Sequence, residues 1–425
     1  MSSKIPRTHI IGAGLAGLAA ATRLSGLGHA VTLYEAVGHA GGRVRSFHDP
    51  VLDRLIDNGN HLVLSGNTSL TAYLDETGAS QGLCRADAVF PFVNVRTGAR
   101  WSLRPNAGPL PWWVLAPSRR PPGTSASAFL SAFKFRRADA NVIVSDVLSD
   151  DHPLFETFWA PLALAVLNTP LDRAAAKPLW PVLAETFLRG AASCRPLFAP
   201  DGLSAGFIDP ALTHLRRCGA VIKFRQRLRA IESKEQRVVA LDFRDCSVNL
   251  GPTDSVLLAI PHNGAQSILP GIGAPSGGEA IVNAHFRLPS APLFDAPFIG
   301  LVGAAAHWVF VRGDVVSVTI SAADHWVDQS ITAIADAIWP DVARAIRLDG
   351  APRPIFRIIK ERRATFSQTP RNMQLRPGPT TDFKNLYLAG DWTNTGLPAT
   401  IEGAVRSGHH AAIKVDQSQH PRRSD

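Results

Sequence analysis

Cysteine, methionine and tyrosine are scarce in this chain of 425 residues, which has four, two and three of them respectively. The cysteines (Cys84, Cys194, Cys218, Cys246) stand far apart with no C-x-x-C pair. That spacing excludes a disulfide framework and a zinc finger, so no metal is expected, and the thiols read as buried and reduced. No apolar run approaches the roughly 18 residues of a membrane-spanning helix. Internal repeats and low-complexity tracts are missing as well, apart from a polar tail over 417–425. The start carries no secretory pattern, because the apolar run from His9 leads straight into glycines. A soluble or peripheral cytoplasmic protein is expected. With 45% hydrophobic and 19% charged residues, the composition is that of an ordinary globular protein of two or three domains.

Charge is what the chain has in excess, with a net +9. Arginines recur in pairs (Arg119-Arg120, Arg136-Arg137, Arg216-Arg217, Arg362-Arg363), with Arg225, Arg227 and Arg229 nearby. Dispersed charge of this kind fits a solvated surface or attraction to an anionic membrane face. No nucleic-acid recognition motif accompanies it. Pro109 to Pro117 is apolar and contains Trp112-Trp113, just ahead of Arg119-Arg120. The pair suits either core packing under a loop or a membrane-interfacial position.

One stretch is dense in chemistry. Thr8 to Ile11 is a short apolar run that enters Gly12-Ala-Gly14-Leu15-Ala16-Gly17; an Ala-rich helical segment follows, and a second apolar run ends at Glu35. This is the order of a dinucleotide-binding βαβ unit. Gly12 permits the tight turn, Gly14 lets the backbone approach a pyrophosphate, and Gly17 lets helix and strand lie close. The helix N-terminus favours the phosphate charge. Glu35 is spaced to accept from a ribose diol and would repel a 2′-phosphate. The competing reading is an αβ turn that binds nothing.

Further on, Gly41-Gly42-Arg43 offers close backbone approach and a phosphate partner. Asp57-Asn58-Gly59-Asn60-His61 is a polar cluster that reads equally as a turn or as part of a site. Helices are expected over 70–77, 126–135, 155–167, 210–218 and 331–346. Strands are expected over 220–224, 227–231, 237–243, 255–262 and 281–288, with a hairpin over 308–321 turning at Arg312-Gly313-Asp314. Near the end, Asn385 to Gly390-Asp391 is a strand closing on a carboxylate. Thr400-Ile401-Glu402-Gly403 then opens a helix whose amides can meet a partly negative group.

Together Gly12–Glu35, Gly41–Arg43 and Leu388-Ala-Gly390-Asp391…Ile401-Glu-Gly-Ala404 resemble the FAD-binding amine oxidase and carotenoid desaturase superfamily. Phe47–Val51, Asp57–His61 with Leu64–Asn67, Lys360–Phe366 and Gly390–Ile401 narrow the resemblance to the bacterial squalene-associated FAD-dependent desaturases, understood as hydroxysqualene dehydroxylases. The resemblance spans most of the chain and is densest at its ends; 80–200 matches in character only. It implies an α/β fold in which a discontinuous Rossmann-like FAD-binding domain (1–65, 200–265, 355–425) is interleaved with a mixed α+β substrate domain (66–199, 266–354).

It also implies an extended FAD whose ribose meets Glu35, its pyrophosphate Gly14–Gly17 and Arg43, and its ribityl or pyrophosphate region Asp391. The pyrimidine edge meets backbone at Thr400 and Ile401, and adenine meets the backbone of Leu228. The implied reaction is reductive removal of a hydroxyl from a C30 isoprenoid, the last step to squalene and often a source for hopanoids. Loss of the hydroxyl calls for a proton donor, for which His61 stands first and Lys360 second. Two rivals share the fold: an oxidative desaturase or amine oxidase, and a non-catalytic prenyl-binding escort. The oligomeric state is not legible.

Overall fold

The computed structural model describes residues 7–420. Its first layer is a parallel sheet of five strands in the order Val221–Lys223, Ala30–Tyr34, Arg7–Ile11, Ser255–Leu258 and Leu386–Leu388. The central strand hydrogen-bonds in parallel on both sides. This explains why Thr8 to Ile11 are all buried rather than alternating between buried and exposed, polar Thr8 and His9 included. Helix Leu15–Gly26 connects Arg7–Ile11 to Ala30–Tyr34 and is largely buried. Its alanines favour helix and keep its surface low, so the last helix, Ile401–Gln419, packs directly on it. At Gly408 of that helix a Cβ would come 2.2 Å from the Ala16 carbonyl oxygen.

The expected interleaving is visible in the strand order: the chain leaves this sheet after Tyr34, returns at Val221 and Ser255, and returns last at Leu386. A small antiparallel sheet of Leu228–Lys234, Arg237–Phe243 and Ser247–Asn249 lies in the second of these passages.

The second layer is a mostly antiparallel sheet of seven strands. Its order is Ile355–Thr365, Glu279–Arg287, Val315–Ile320, Trp308–Arg312, Phe298–Val302, Phe90–Asn94 and Arg100–Leu103. One face packs on helix Ile331–Ala345 through Val282, Val318, Ile334 and Ile338. The hairpin turns at Gly313 as expected, and Asp314 there receives Arg54 at 2.8 Å. One boundary differs from expectation. Residues 355–365, assigned by sequence to the FAD-binding part, form the edge strand of this second sheet, pairing with Glu279–Arg287 over their whole length. Backbone pairing decides the matter, and the return to the parallel sheet comes only at Leu386.

The middle segment is a cluster of short turns around aromatic residues. The helix expected over 126–135 is a 3₁₀ segment, Ser127–Ser131, running into Ala132–Arg137. That over 155–167 begins as a π turn, Phe155–Trp159, before Ala160–Leu167. Pro161 has no amide to complete a regular first turn, and Trp159 instead donates to the Leu154 carbonyl at 2.9 Å.

Trp112 and Trp113 do not act as a pair. Trp112 is 51% exposed, whereas Trp113 is 2% exposed and packs edge-on against Phe129 at 5.2 Å. Consecutive residues of a 3₁₀ turn point in different directions, so only one can face outward. Of the cysteines only Cys194 is buried, its thiol pushed up to about 12 by burial. Cys84, Cys218 and Cys246 are exposed, contrary to expectation. Among the described residues no helix is long and apolar enough to cross a membrane. Of the polar tail, 417–420 is described and continues the last helix to Gln419; residues 421–425 lie outside the described ones.

Candidate flavin site

At the carboxyl end of the central strand the chain turns at Gly12, in left-handed backbone (φ 105°), where a Cβ would stand 2.4 Å from the Ala259 carbonyl oxygen. A Cβ at Gly17 would fall 1.9 Å from the Gly12 carbonyl oxygen. No other residue fits either position. Gly14, by contrast, faces open space, with nothing within 4 Å of where its Cβ would be. It caps the N-terminus of helix Leu15–Gly26 without any side-chain bond. The first-turn amides of Leu15, Ala16 and Gly17 therefore point out of the helix into that space. A cradle of bare backbone at a helix N-terminus fits a pyrophosphate.

Glu35 closes the neighbouring strand. Its carboxylate accepts from the Ala13 amide (2.9 Å) and the Val37 amide (3.0 Å). It thus braces the glycine turn, a role absent from the sequence reading, while each oxygen keeps acceptor capacity for a diol. The Glu35 carbonyl receives the Gln226 amide at 2.8 Å, which brings the segment leading to Leu228 alongside. Leu228 is buried with Tyr34 and Phe243.

Gly41 donates to the Ala13 carbonyl at 2.8 Å, so the second glycine pair lies against the first turn. Arg43, next along, donates to the Asp391 carboxylate at 2.8 Å and to the Ala364 carbonyl. Asp391 raises the guanidinium pKa, and the pairing outweighs the opposing effect of burial. Residues 348 apart in sequence thus meet at one ion pair.

The loop carrying Asp391 is held by Arg376, which sequence reading missed. Its guanidinium is 5% exposed and donates to the carbonyls of Leu397 (2.6 Å), Asp391 (3.1 Å) and Thr393. Burial lowers its pKa to about 10, with Asp391 opposing. Gln368, also missed, is fully buried and accepts from the Ala399 amide at 2.8 Å. Thr400 caps the last helix, accepting from the Gly403 amide at 3.1 Å. The amides of Ile401 and Glu402 are left pointing outward. Glu402 itself is structural: it accepts from the Ser69 and Leu70 amides, capping helix Thr68–Thr77, and pairs with Arg406 at 3.0 Å.

The polar cluster meets the second sheet. Asn283 donates to the Asn58 carbonyl at 3.3 Å and accepts from Thr319 at 3.0 Å, and Asn60 donates to Thr319 at 3.1 Å. His285 lies on the same face, its Nδ1 2.8 Å from Ser317 Oγ. Asn283 and His285 are polar residues alternating with Val282, Ala284 and Phe286 in a strand that is buried from Val282 to Phe286. That alternation was the available signal for them. Below the cluster, Asp57 takes Arg312 at 2.8 Å.

His61 keeps partial exposure within this enclosed setting. Burial pushes its imidazole down to about 4; Asp57 opposes the shift and the Arg43 charge adds to it. The imidazole is therefore uncharged near pH 7 and carries a single N–H that can donate a hydrogen bond. Lys360 is not brought to the site. It stands opposite Val282 in register, on the face packed against helix Ile331–Ala345, and its ammonium donates to the carbonyls of Val327 (2.9 Å) and Gln329 (2.5 Å).

Residues 15–415 match the family described as flavin containing amine oxidoreductase. This chain belongs to that family. A hydroxysqualene dehydroxylase of Sinorhizobium fredii is 43% identical over 95% of this chain and 97% of its own length. One of Rhodopseudomonas palustris is 43% identical over 96% of this chain and 97% of its own. Within the family the chain therefore groups with the hydroxysqualene dehydroxylases. A solved putrescine oxidase superposes with a TM-score of 0.73, covering 97% of this chain and 99% of that one, at 16% identity. That likeness concerns the fold alone. The family is one of FAD-dependent oxidoreductases, and the bare-backbone cradle, Glu35, Arg43 and Asp391 fit that cofactor.

Proposed function

We propose that this enzyme reductively dehydroxylates hydroxysqualene, or a closely similar C30 alcohol, to squalene, which can feed hopanoid formation. Near full-length likeness to hydroxysqualene dehydroxylases carries this reading. FAD, when bound and reduced, supplies hydride; a proton joins the departing hydroxyl, so that the alcohol leaves as hydrocarbon and water.

The chain's own residues bind, orient and exclude water. The amides of Leu15 to Gly17 and the Arg43–Asp391 pair would hold the pyrophosphate and ribityl region, and Glu35 would hold the ribose. Gly41 and Gly42 give room beside them, and Gly390 keeps Asp391 at the strand end. The peptide units at Thr400 and Ile401 would meet the flavin pyrimidine, and the backbone of Leu228 would meet adenine. The backbone of Asn58 to Asn60 is held by Asn283 and Thr319. His61, neutral, donates a hydrogen bond that orients the hydroxyl, and the proton comes from solvent through the polar cluster. Lys360 takes no part. Leu62, Leu64, Phe198 and Phe310 are partly exposed against the aromatic cluster and form the apolar wall for the isoprenoid. Such a substrate resides in a bilayer, so the enzyme works as a peripheral protein at the cytoplasmic face of the inner membrane.

The test is anaerobic mixing of photoreduced enzyme with hydroxysqualene. Flavin reoxidation with stoichiometric squalene is expected. If reduced enzyme leaves hydroxysqualene unchanged while oxidised enzyme desaturates a polyene, the oxidative reading replaces this one.

A further inference from the structure

The seven-stranded sheet has two edges. One, Ile355–Thr365, adjoins the cofactor cradle through the Ala364 carbonyl. The other, Arg100–Leu103, is far from it in the strand order, and two adjoining concavities open there. The first, about 380 Å³, is lined by Trp101, Arg104, Leu293 and Phe294 together with Arg100 and Arg347. The second, about 460 Å³, shares Arg100 and Arg347 and adds Arg96 and Arg344. Five arginines thus face two carboxylates, Asp295 and Asp349.

Three of these guanidiniums are fixed in place by backbone carbonyls. Arg100 donates to Arg344 (2.8 Å) and Ala345 (2.9 Å) at the end of helix Ile331–Ala345. Arg344 donates to Val95 (2.5 Å), and Arg96 to Gly303 (3.1 Å). Arg347 follows the helix in left-handed backbone (φ 64°), where glycine is the usual residue. Burial and then the Arg347 charge depress the Arg100 pKa. Asp349 takes Arg344 at 3.1 Å, and the remaining excess of positive charge attracts an anionic surface.

The rim is apolar. Leu293 is 96% exposed. The Arg104 amide donates to the Arg119 carbonyl (3.2 Å), the Arg119 guanidinium donates to the Arg104 carbonyl (3.3 Å), and Arg119 lies 5.0 Å over the ring of Trp112. Leu110 and Leu115 flank that tryptophan and are exposed. A soluble anion would have no use for this fringe, whereas a bilayer uses both components.

We propose that this edge of the sheet is the seat on an anionic phospholipid bilayer. Arg96, Arg100 and Arg347 take lipid phosphates while Leu110, Trp112, Leu115 and Leu293 enter the headgroup–acyl boundary. The proposal deepens the reading of a peripheral enzyme acting on a lipid-dissolved alcohol, and rests on it for the purpose of docking but not for its test.

Flotation of the flavin-loaded enzyme with vesicles of phosphatidylcholine, with and without phosphatidylglycerol, measures docking. Binding to the anionic vesicles alone, falling with salt, is expected. The double variant Arg96→Gln/Arg347→Gln leaves the anchored Arg100 and Arg344 in place and should bind roughly thirty-fold more weakly. A charge-matched control, Arg217→Gln/Arg244→Gln, alters exposed arginines elsewhere and should bind as wild type does. Equal loss in both variants would mean diffuse attraction and overturn the assignment. So would absence of wild-type binding. Inorganic phosphate is tested by thermal shift: if the first variant loses a phosphate response yet docks normally, the concavities hold a free anion and the lipid assignment fails. Turnover of hydroxysqualene in neutral detergent is read on the same preparations. Failure there with intact docking refutes the reaction and leaves the docking surface standing.

Discussion

Replacing Arg376 by methionine keeps the length of the stem and removes the guanidinium that gathers three carbonyls of the loop from Asp391 to Leu397. Two magnitudes oppose each other. Each buried carbonyl left without a donor costs about 1–3 kcal/mol if it stays dry. Against this, burial holds the Arg376 pKa near 10 instead of its usual 12.5. The charge is therefore disfavoured by about 3 kcal/mol relative to water, and its removal recovers that penalty. If the loop stayed in place, the carbonyls would lose roughly 3–9 kcal/mol, and the net would be a destabilisation of up to several kcal/mol. The loop has a cheaper course, which is to open and let water reach its carbonyls.

The expected outcome is a small loss of global stability, about 1–3 kcal/mol in urea, with a disproportionate loss of flavin, because the opening loop carries Asp391 away from Arg43. Arg376→Lys should not rescue, since a single ammonium cannot reach three carbonyls set in different directions. The assay is flavin content by absorbance after gel filtration, beside urea denaturation of the same preparation. A variant that retains full flavin and unfolds as wild type does would refute the reasoning. One that loses stability but keeps flavin would show that the loop is not what opens.

Glu35→Ala and Asp391→Ala should each lower flavin retention, by about 1.5–3 kcal/mol for a charged acceptor; Glu35→Ala should also loosen the Ala13 turn, visible as faster amide exchange there, and full occupancy in both would sink the binding mode. His61→Asn should slow turnover about tenfold, the worth of one oriented hydrogen bond, with flavin content unchanged; turnover equal to wild type would remove His61 from the site. His61, His285, His307 and His409 each titrate near 4 instead of 6.5, with burial the first cause in each. Their folded pKa values are depressed, so their contribution is intact above pH 6.5 and lost as pH falls toward 4. The urea midpoint should therefore drop between about pH 7 and pH 5, less steeply in His307→Asn, which keeps an acceptor for the Ser321 amide; a flat midpoint would contradict the burial of these rings.

The glycine turn, Glu35, Arg43 and Asp391 were legible because adjacent residues carry each signal and backbone geometry leaves no substitute at Gly12 or Gly17. Lys360 was misjudged because a strand shows its two faces to opposite sides. Its neighbour Ile359 pairs with Asn283 on the polar face while Lys360 pairs with Val282 on the other, and sequence does not fix that parity. Trp112 and Trp113 divide between the two readings left open for them, Trp113 in the core and Trp112 exposed, because neighbours in a single turn point apart. Arg376 and Gln368 carry no local pattern, since their partners are carbonyls and amides of a distant loop. The lowered pKa of His61 depends on what surrounds it, and the sequence neighbours Asn60 and Leu62 say nothing of that. The boundary at 355 failed because a strand belongs to whichever sheet pairs with it.

The parallel sheet takes its last strand from Leu386–Leu388, and the final helix fits against Ala16 only by way of Gly408. During synthesis, then, the glycine turn emerges early and waits for more than three hundred residues before Asp391 can face Arg43. A nascent chain has a pyrophosphate loop without the other half of its grip. Long-range pairing of this kind folds slowly, and it ties cofactor capture to the late arrival of Asp391. Synthesis of the segment from Leu386 to Gly408, rather than emergence of the first βαβ unit, sets the moment when the grip can close.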